Sequence, residues 1–176
     1  IQGPDAAELL NRIYTNGWTN LLPGRCRYGF MLGEDGMVMD DGVTTCIAPD
    51  HYLMTTTTGG AAAVMGWMER WLQTEWPDLQ VYLTSVTDQW SVMSVAGPQS
   101  RAVLHAAGCD VELDSESFPF MSMREGKIGG VSSRISRISF SGELAFEISV
   151  NANYGMTLWQ TIMDAGRAYD ITPYGT

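Results

Sequence analysis

The sequence has few of the residues from which disulfide frameworks and metal centres are built. It contains three cysteines, Cys26, Cys46 and Cys109, and two histidines in 176 residues. The cysteines are odd in number and form no C-x-x-C pair, and the histidines stand alone, so neither a disulfide framework nor a metal site is expected. Free thiols are typical of a reducing compartment, and the cytoplasm is the expected location.

Basic residues and long apolar runs are also scarce. The chain has 10 Lys and Arg against 20 Asp and Glu, which gives a formal net charge of −10 and a pI of about 4.4. A strongly acidic chain repels phosphate groups, so nucleic acid and anionic membrane surfaces are not expected partners. Half of the basic residues nevertheless fall within residues 101–137, and this span is expected to be locally positive. No apolar run approaches the ~20 residues of a membrane-spanning helix.

Apolar and aromatic side chains are plentiful. Hydrophobic residues make up 45% of the chain, with 6 Trp, 7 Tyr and 5 Phe, which is typical of a globular fold and not of a disordered segment or a coiled coil. A chain of this length suits a single domain with a sizeable core. Because it has no initiator Met and starts within a regular pattern, it is expected to be a piece of a longer protein.

A repeat with an offset of 94 residues runs through the sequence. GPDAAELLNRIYTNG, from Gly3, and GPQSRAVLHAAG, from Gly97, share a Gly-Pro start and a closing glycine, and each predicts a short helix. The same offset, within one residue, relates HYLMTTTTGGAAAVMGWMERWL to LAFEISVNANYGMTLWQTIMDAG, each a strand followed by a helix. We therefore expect one domain over residues 1–176 with two pseudo-repeated halves, about 1–90 and 91–176. Chance similarity of common strand and helix patterns is the alternative.

The order of the predicted elements favours an α+β fold. Each half reads as a short helix, a β-hairpin and a longer helix after the last strand, which is the order of antiparallel sheets with packed helices and not of a parallel doubly wound sheet. Further strands are predicted at residues 79–86 and 90–96. A strand pair within residues 124–138 turns either at Gly126 or at Gly129-Gly130.

The stretch MVMDDGV, residues 37–43, places two carboxylates side by side in an apolar segment. Along an extended strand Asp41 shares a face with two methionines and a valine, whereas Asp40 lies on the other face. An unpaired charge on an apolar face is costly to desolvate. We therefore expect Asp41 either to cap a turn or accept backbone hydrogen bonds, or to have a chemical role.

Two further segments carry polar groups next to predicted strands. SFSGELAFEISV, residues 139–150, alternates apolar and polar residues and predicts a half-buried strand pair that turns at Gly142 and Glu143. Glu147 then lies on the polar face, either as a solvated residue or as a ligand group. TTTTGGAAA, residues 55–63, predicts a strand that runs into a helix, whose free N–H groups receive either an anion or a threonine cap.

Together, YGFMLGEDGMVMDDGV and, about a hundred residues later, SFSGELAFEI resemble the folate-binding fold of the glycine-cleavage T-protein (aminomethyltransferase) family. Within it the similarity is closest to the C-terminal region of heterotetrameric sarcosine oxidase α subunits. The stretches that carry this similarity, in order, are IQGPDAAELLNRIYTNGW, LMTTTTG, WLQTEWPDLQVYLTSVT, FPFM, REG, RISFSGEL and ITPYGT. The resemblance covers essentially the whole chain and implies the α+β fold of that family.

The resemblance also implies a set of site residues. Asp41 maps to the aspartate near the reactive N10 of tetrahydrofolate and is the expected catalytic residue. Glu147 maps to the strand glutamate that grips the pterin, whose ring N–H and amino group are two parallel donors for one carboxylate. The other expected cofactor-binding residues are Phe140, which replaces the tyrosine of a Gly-Tyr-Thr-Gly-Glu signature, Glu143, Tyr28, and Thr57, which replaces a common asparagine.

The implied function is the capture of a one-carbon unit. In sarcosine oxidase a flavin site elsewhere in the complex oxidises sarcosine, and the one-carbon product reaches this domain, where tetrahydrofolate takes it up as 5,10-methylenetetrahydrofolate. Flavin, NAD and the other subunits are expected outside this piece, which alone should oxidise nothing. The alternatives are an aminomethyltransferase, a dimethylglycine-type oxidase or demethylase, a non-catalytic folate-fold scaffold, and a structural module between subunits.

Overall fold

The first helix shows how apolar spacing places an element on the core. Leu9, Leu10 and Ile13 recur at helical spacing, and in the computed structural model, which describes residues 1–175, they are buried on one side of helix α1, Ala6–Ile13. The helix ends well before Gly17, where the sequence predicted its end, because Tyr14 has an extended conformation.

Residues Ile1–Thr87 form the first of two compact units. After α1 come the strands β1 (Cys26–Leu32), β2 (Val38–Ala48) and β3 (His51–Met54), a 3-10 turn (Thr58–Gly60) and helix α2 (Ala61–Thr74). The strands form an antiparallel sheet in the order β1-β2-β3. One face of this sheet packs in an apolar core with the helices, and its largest fully buried side chains are Trp18, Leu9, Leu10, Met31 and Met68. Burial of each such side chain stabilises the fold by about 1.5–3 kcal/mol.

Residues Asp88–Thr176 form the second unit. Its elements are β4 (Trp90–Ala96), α3 (Ser100–Ala106), β5 (Ser122–Ile128), β6 (Val131–Arg137), β7 (Ala145–Asn151), a 3-10 turn (Ala152–Tyr154) and α4 (Gly155–Gly166). The strands form an antiparallel sheet in the order β4-β7-β6-β5. Its core includes the fully buried side chains Phe118, Phe146, Ile128, Ile135 and Ile148.

The two units share one order of elements. In each, a short helix precedes an antiparallel hairpin, a third strand, a 3-10 turn and a longer helix. The 3-10 turns begin at Thr58 and Ala152, and the short helices begin at Ala6 and Ser100, so the members of each pair are 94 residues apart. Within the described residues the fold is α+β, with two antiparallel sheets and four α-helices, as the sequence predicted. That the halves arose by duplication within one domain stays a prediction.

One predicted strand is wrong. Residues 79–86 form no strand, because Tyr82 alone finds an extended partner there and exchanges two backbone hydrogen bonds with Gln2. A strand needs such partners along its length to satisfy its backbone groups. The β5–β6 hairpin turns at Gly129 and Gly130, which both have positive φ, and not at Gly126. No helix in the described part of the chain is long and apolar enough to cross a membrane.

Candidate functional site

Strand β2 carries the two adjacent aspartates to opposite faces of the first sheet. In the β1–β2 register Met31 pairs with Asp40 and Phe30 pairs with Asp41. Met31 is fully buried and Asp40 is only 6% exposed, whereas Phe30 is exposed and Asp41 is half-buried. Since cross-strand partners share a face, Asp40 lies on the core face and Asp41 on the open face.

The sequence-based choice of the buried face is therefore wrong, although the opposite orientation of the two aspartates is confirmed. Met37 and Met39, which were expected to mark the core side, are 68% and 43% exposed. They lie near the end of the hairpin, where an irregularity between Met31 and Leu32 shifts the β1–β2 register. At this end of β2 apolar side chains do not indicate the buried face, because both faces carry them.

Asp40 has the structural role that was considered for its neighbour. Its two carboxylate oxygens lie 3.2 and 3.3 Å from the backbone nitrogen of Thr57, which donates to them. The free N–H group after β3 thus receives an internal anion. A Cβ at Gly42 would collide with the main-chain oxygen of Thr55, so the glycine allows the segment after β3 to approach β2 closely. Thr57 is therefore bound to Asp40 through its backbone, and its side chain is exposed.

Asp41 and Tyr28, both expected site residues, are brought together. The Tyr28 hydroxyl donates to Oδ2 of Asp41 at 2.6 Å, and this hydrogen bond is the main reason why the pKa of Tyr28 is raised. Tyr28 therefore keeps its proton and holds one carboxylate oxygen, while the other lone pairs of Asp41 stay available to a ligand.

Phe30 belongs to the same surface and was missed in the sequence analysis. It pairs directly with Asp41, is 41% exposed, and its ring packs edge-on against Tyr28 at 5.2 Å between centroids. Strand alternation in CRYGFML already places Phe30 on the same face as Tyr28, and this pattern could have identified Phe30 as a site residue. Two exposed aromatic rings beside a carboxylate suit a flat ligand that carries an N–H or basic nitrogen.

Tyr14 lies on the core side of the same region. It is buried and donates its hydroxyl to the sulfur of Met54 at 3.2 Å. Burial raises the pKa of Tyr14 strongly, and the negative charges of Asp40 and Asp41 raise it further. Tyr14 therefore stays protonated near neutral pH, donates a hydrogen bond and does not release its proton.

Glu147 is a half-buried carboxylate in the middle of the second sheet. It lies on β7 and pairs with Ser94 of β4 and Ser136 of β6. Burial raises the pKa of Glu147 above its usual value. No hydrogen bond or ion pair from residues 1–175 reaches its carboxylate, which is unusual because buried charges are normally paired. The group therefore fits a ligand that supplies N–H donors.

Phe140 and Glu143 lie outside any strand. The predicted strand pair over residues 139–150 is wrong in its first half, because residues 140–144 form bends and not a strand before β7. Gly142 has a φ of 86° there, and its N–H donates to the Ser139 hydroxyl at 3.0 Å. The local polar turn replaces strand pairing. Phe140, which was expected on the apolar side of a strand, is 96% exposed, and Glu143 is exposed.

The basic span has a structural use. Arg101, Arg124 and Arg137 donate to main-chain oxygens of the segment before β5, at Leu113, Ser117 and Phe118 respectively. Arg134 of β6 pairs with Glu125 at 3.1 Å and stacks on Trp90. Among the described residues, no group of three or more His, Cys, Asp or Glu side chains is placed to hold a metal ion.

The chain thus combines two antiparallel sheets, each followed by a helix and each bearing a strand carboxylate. The chain belongs to the GCVT N-terminal domain family, which matches residues 1–176. This family binds tetrahydrofolate.

Two relatives and one solved structure show where the chain stands within the family. It is 52% identical over 177 residues to the sarcosine oxidase subunit alpha of Corynebacterium sp. strain P-1. The aligned region covers 100% of this chain and 18% of that subunit. It is 31% identical over 176 residues to the aminomethyltransferase of Bacillus subtilis strain 168, covering 99% of this chain and 46% of that protein. The crystal structure of aminomethyltransferase T from Bartonella henselae superposes with a TM-score of 0.79 at 24% identity, over 94% of this chain and 42% of that one, which supports the fold. The chain therefore spans less than half the length of these relatives.

Proposed function

We propose that this chain is the tetrahydrofolate-binding region of a sarcosine oxidase α subunit, in the C-terminal part of that subunit. Its role is to deliver the one-carbon unit from sarcosine oxidation to tetrahydrofolate, with 5,10-methylenetetrahydrofolate as the product. The identity of 52% over the whole chain favours this subunit, against 31% for an aminomethyltransferase. The observation that carries the chemistry is the Tyr28–Asp41 hydrogen bond on the open face of the first sheet.

Asp41 is the proposed catalytic residue. Tetrahydrofolate, when bound, supplies the nucleophilic nitrogens that take up the one-carbon unit. The Asp41 carboxylate accepts a hydrogen bond or a proton from N10, because it is half-buried beside Phe30 and one of its oxygens is already fixed by Tyr28. Tyr28 orients this carboxylate, and the ring of Phe30 lies beside it on the same face.

Glu147 is proposed to hold the pterin. Its carboxylate lies partly out of water without a partner in the described chain, and a ring N–H beside an amino group satisfies both of its oxygens. Phe140, Glu143 and Thr57 stay proposed contacts of the cofactor. The exposed ring of Phe140 is available to stack on the cofactor. Thr57 is proposed to contact the cofactor from the loop after β3, which Asp40 holds through the Thr57 N–H.

The remaining parts of the proposal concern the parent protein. Flavin and NAD bind outside this chain, the other subunits of a hetero-oligomeric oxidase are its partners, and the cytoplasm is its location. The family relationship to aminomethyltransferases keeps one second candidate, in which the same residues serve aminomethyl transfer. The two functions differ in whether the parent protein oxidises sarcosine.

The test of Asp41 separates oxidation from one-carbon capture. In the full parent enzyme, Asp41→Asn should leave sarcosine-dependent peroxide formation intact and lower the yield of methylenetetrahydrofolate at least tenfold, which corresponds to about 1.4 kcal/mol of lost stabilisation. Asp35→Asn, in the exposed β1–β2 turn, is the matched control and should change neither readout. An unchanged yield in the Asp41 variant contradicts its role, and absence of sarcosine oxidation by the parent contradicts the assignment to this enzyme.

A further inference from the structure

A cleft in the first unit is walled by three tryptophans. Trp67 and Trp71 lie one turn apart on α2, and Trp76 follows the helix. The rings of Trp71 and Trp76 stack at 5.1 Å between centroids, and Trp67 meets Trp71 edge-on at 5.4 Å. Trp67 and Trp76 pack against the core, yet all three side chains are only half-buried and line a cleft of about 160 Å³. The core therefore uses only part of this aromatic surface.

The end of the β1–β2 hairpin completes the cleft. Leu32, Gly33 and Glu34 line it together with the tryptophans. Val38 is the cross-strand partner of Leu32, and the Gly33 N–H donates to the carbonyl of Met37 at 2.8 Å. Met37 and Val38 thus adjoin the cleft, and they are 68% and 59% exposed. Contiguous exposed apolar surface of this kind marks a contact site for another protein surface.

The charged groups around the cleft favour a basic partner. Glu34 in the cleft wall and Glu75, just after α2, are exposed, and neither forms an ion pair within residues 1–175. The two arginines are already engaged. Arg12 pairs with Glu8 at 2.8 Å, and the guanidinium group of Arg70 lies over two of the tryptophan rings at 5.6 and 5.8 Å. The carboxylates that stay unpaired are therefore the groups that a partner can neutralise.

We propose that a docking surface, formed by the three tryptophans, residues 32–34, Met37, Val38 and Glu75, binds a segment of another subunit of the parent oxidase. This segment carries Lys or Arg beside an apolar anchor side chain. The aromatic walls and the two exposed apolar residues take the anchor, because tryptophan and methionine are enriched in the desolvated centre of protein interfaces. Glu34 and Glu75 pair with the basic groups at the rim. The inference rests on the proposed function, which supplies the other subunits.

The first test identifies what covers Met37 in the full parent enzyme. A photo-cross-linking benzophenone side chain replaces Met37, and mass spectrometry of the linked peptides identifies the partner. We expect a link to another subunit, at a peptide that contains Lys or Arg. The control places the same group at Leu22, which is equally exposed at 68% but precedes β1, at the end of the hairpin away from its turn. The control should not give that product.

The second test reverses one charge of the docking surface. Glu34→Lys should weaken the association of that subunit about tenfold, because the new cation meets the basic groups of the partner. High salt should reduce the effect, since exposed charges are screened. Asp50→Lys makes the same change of charge in the exposed β2–β3 turn and should leave the association unchanged. Sedimentation of the parent enzyme over a dilution series measures the association.

The outcomes separate this proposal from the proposed function. A link from position 37 to the same subunit, to a second copy of this chain or to nothing overturns the docking surface, and so does equal weakening by Glu34→Lys and Asp50→Lys. Sarcosine oxidation by the same preparations reports on the proposed function. An enzyme that oxidises sarcosine but shows no link between subunits contradicts the docking surface alone, whereas a parent protein without other subunits contradicts both.

Discussion

Glu147 should lower the stability of the unit that contains it, and Glu147→Gln is the substitution that shows it. The carboxylate is half-buried without a partner in the described chain, and burial raises its pKa. Full burial of an unpaired charge costs several kcal/mol, but water still reaches part of this group and screens it. We therefore expect the neutral amide to raise the free energy of unfolding of the second unit by about 1 kcal/mol at pH 8.

The sign of the pH dependence follows from the raised pKa. Between the unfolded pKa, whose usual value is 4.5, and the higher folded pKa, the unfolded chain loses its proton first, so the parent loses stability as pH rises through this window. Below the unfolded pKa the carboxyl is protonated in both states and the cost disappears. The advantage of the Gln variant should therefore be complete above the folded pKa and should vanish below about pH 4.

Native-state hydrogen exchange of peptides from β7 in the parent protein measures this difference locally. At pH 8 the Gln variant should show about fivefold higher protection, since 1.4 kcal/mol corresponds to a factor of ten. Glu112→Gln, an exposed glutamate of the same unit, is the control and should not alter protection. Equal or lower protection in the Glu147 variant at pH 8 refutes the reasoning, because the carboxylate then carries no desolvation cost. The same variant should bind tetrahydrofolate about 1.5–3 kcal/mol more weakly, which is the functional reason to keep the charge.

Two further predictions concern the first unit. Gly42→Ala should destabilise it by about 1–3 kcal/mol, because the new Cβ meets the main-chain oxygen of Thr55. Gly17→Ala is the control and should cost less than about 0.5 kcal/mol, since the space around its Cβ is open. Equal denaturation midpoints for the two variants would contradict the close approach of Thr55 to Gly42. Asp41→Asn should lower the pKa of Tyr28, because the hydrogen bond to the Asp41 carboxylate is the main cause of the raised pKa. Carbon-13 NMR of labelled tyrosine measures this pKa. An unchanged Tyr28 titration would show that the hydrogen bond does not form.

The parts of the fold that follow from local patterns were predictable. The 94-residue offset, the short helices and the order of strand, turn and helix are all visible in the sequence, because apolar spacing and glycine placement are local properties. The failures involve information from distant partners. Residues 79–86 have strand-like alternation but lack an extended partner beyond Gln2. In residues 139–144 the N–H groups of Gly142 and Glu143 bond to nearby serine hydroxyls, whereas the Leu144 carbonyl accepts from the distant Gly97.

The candidate site shows the same division. Opposite faces for Asp40 and Asp41 follow from strand geometry alone, but the identity of the core face depends on what the helices cover. The hydrogen bond between Tyr28 and Asp41 depends on the β1–β2 register, which the hairpin sets. The strands that flank Glu147 depend on pairing between segments far apart in sequence. Resemblance named Asp41, Tyr28 and Glu147. Strand alternation places Phe30 on the same face as Tyr28, and the β1–β2 register then puts it beside Asp41.

Adjacent aspartates with opposite duties make this hairpin intolerant of length changes. Deletion or insertion of a single residue in the β1–β2 turn would slide β2 by one position and exchange the two carboxylates. The anchor of the Thr57 loop would then face outward, and the carboxylate beside Tyr28 would be forced inside. The contact of Asp40 with Thr57 and the hydrogen bond of Asp41 with Tyr28 would be lost together. Natural variation in the length of this turn is therefore expected in steps of two residues, which keep each aspartate on its own face.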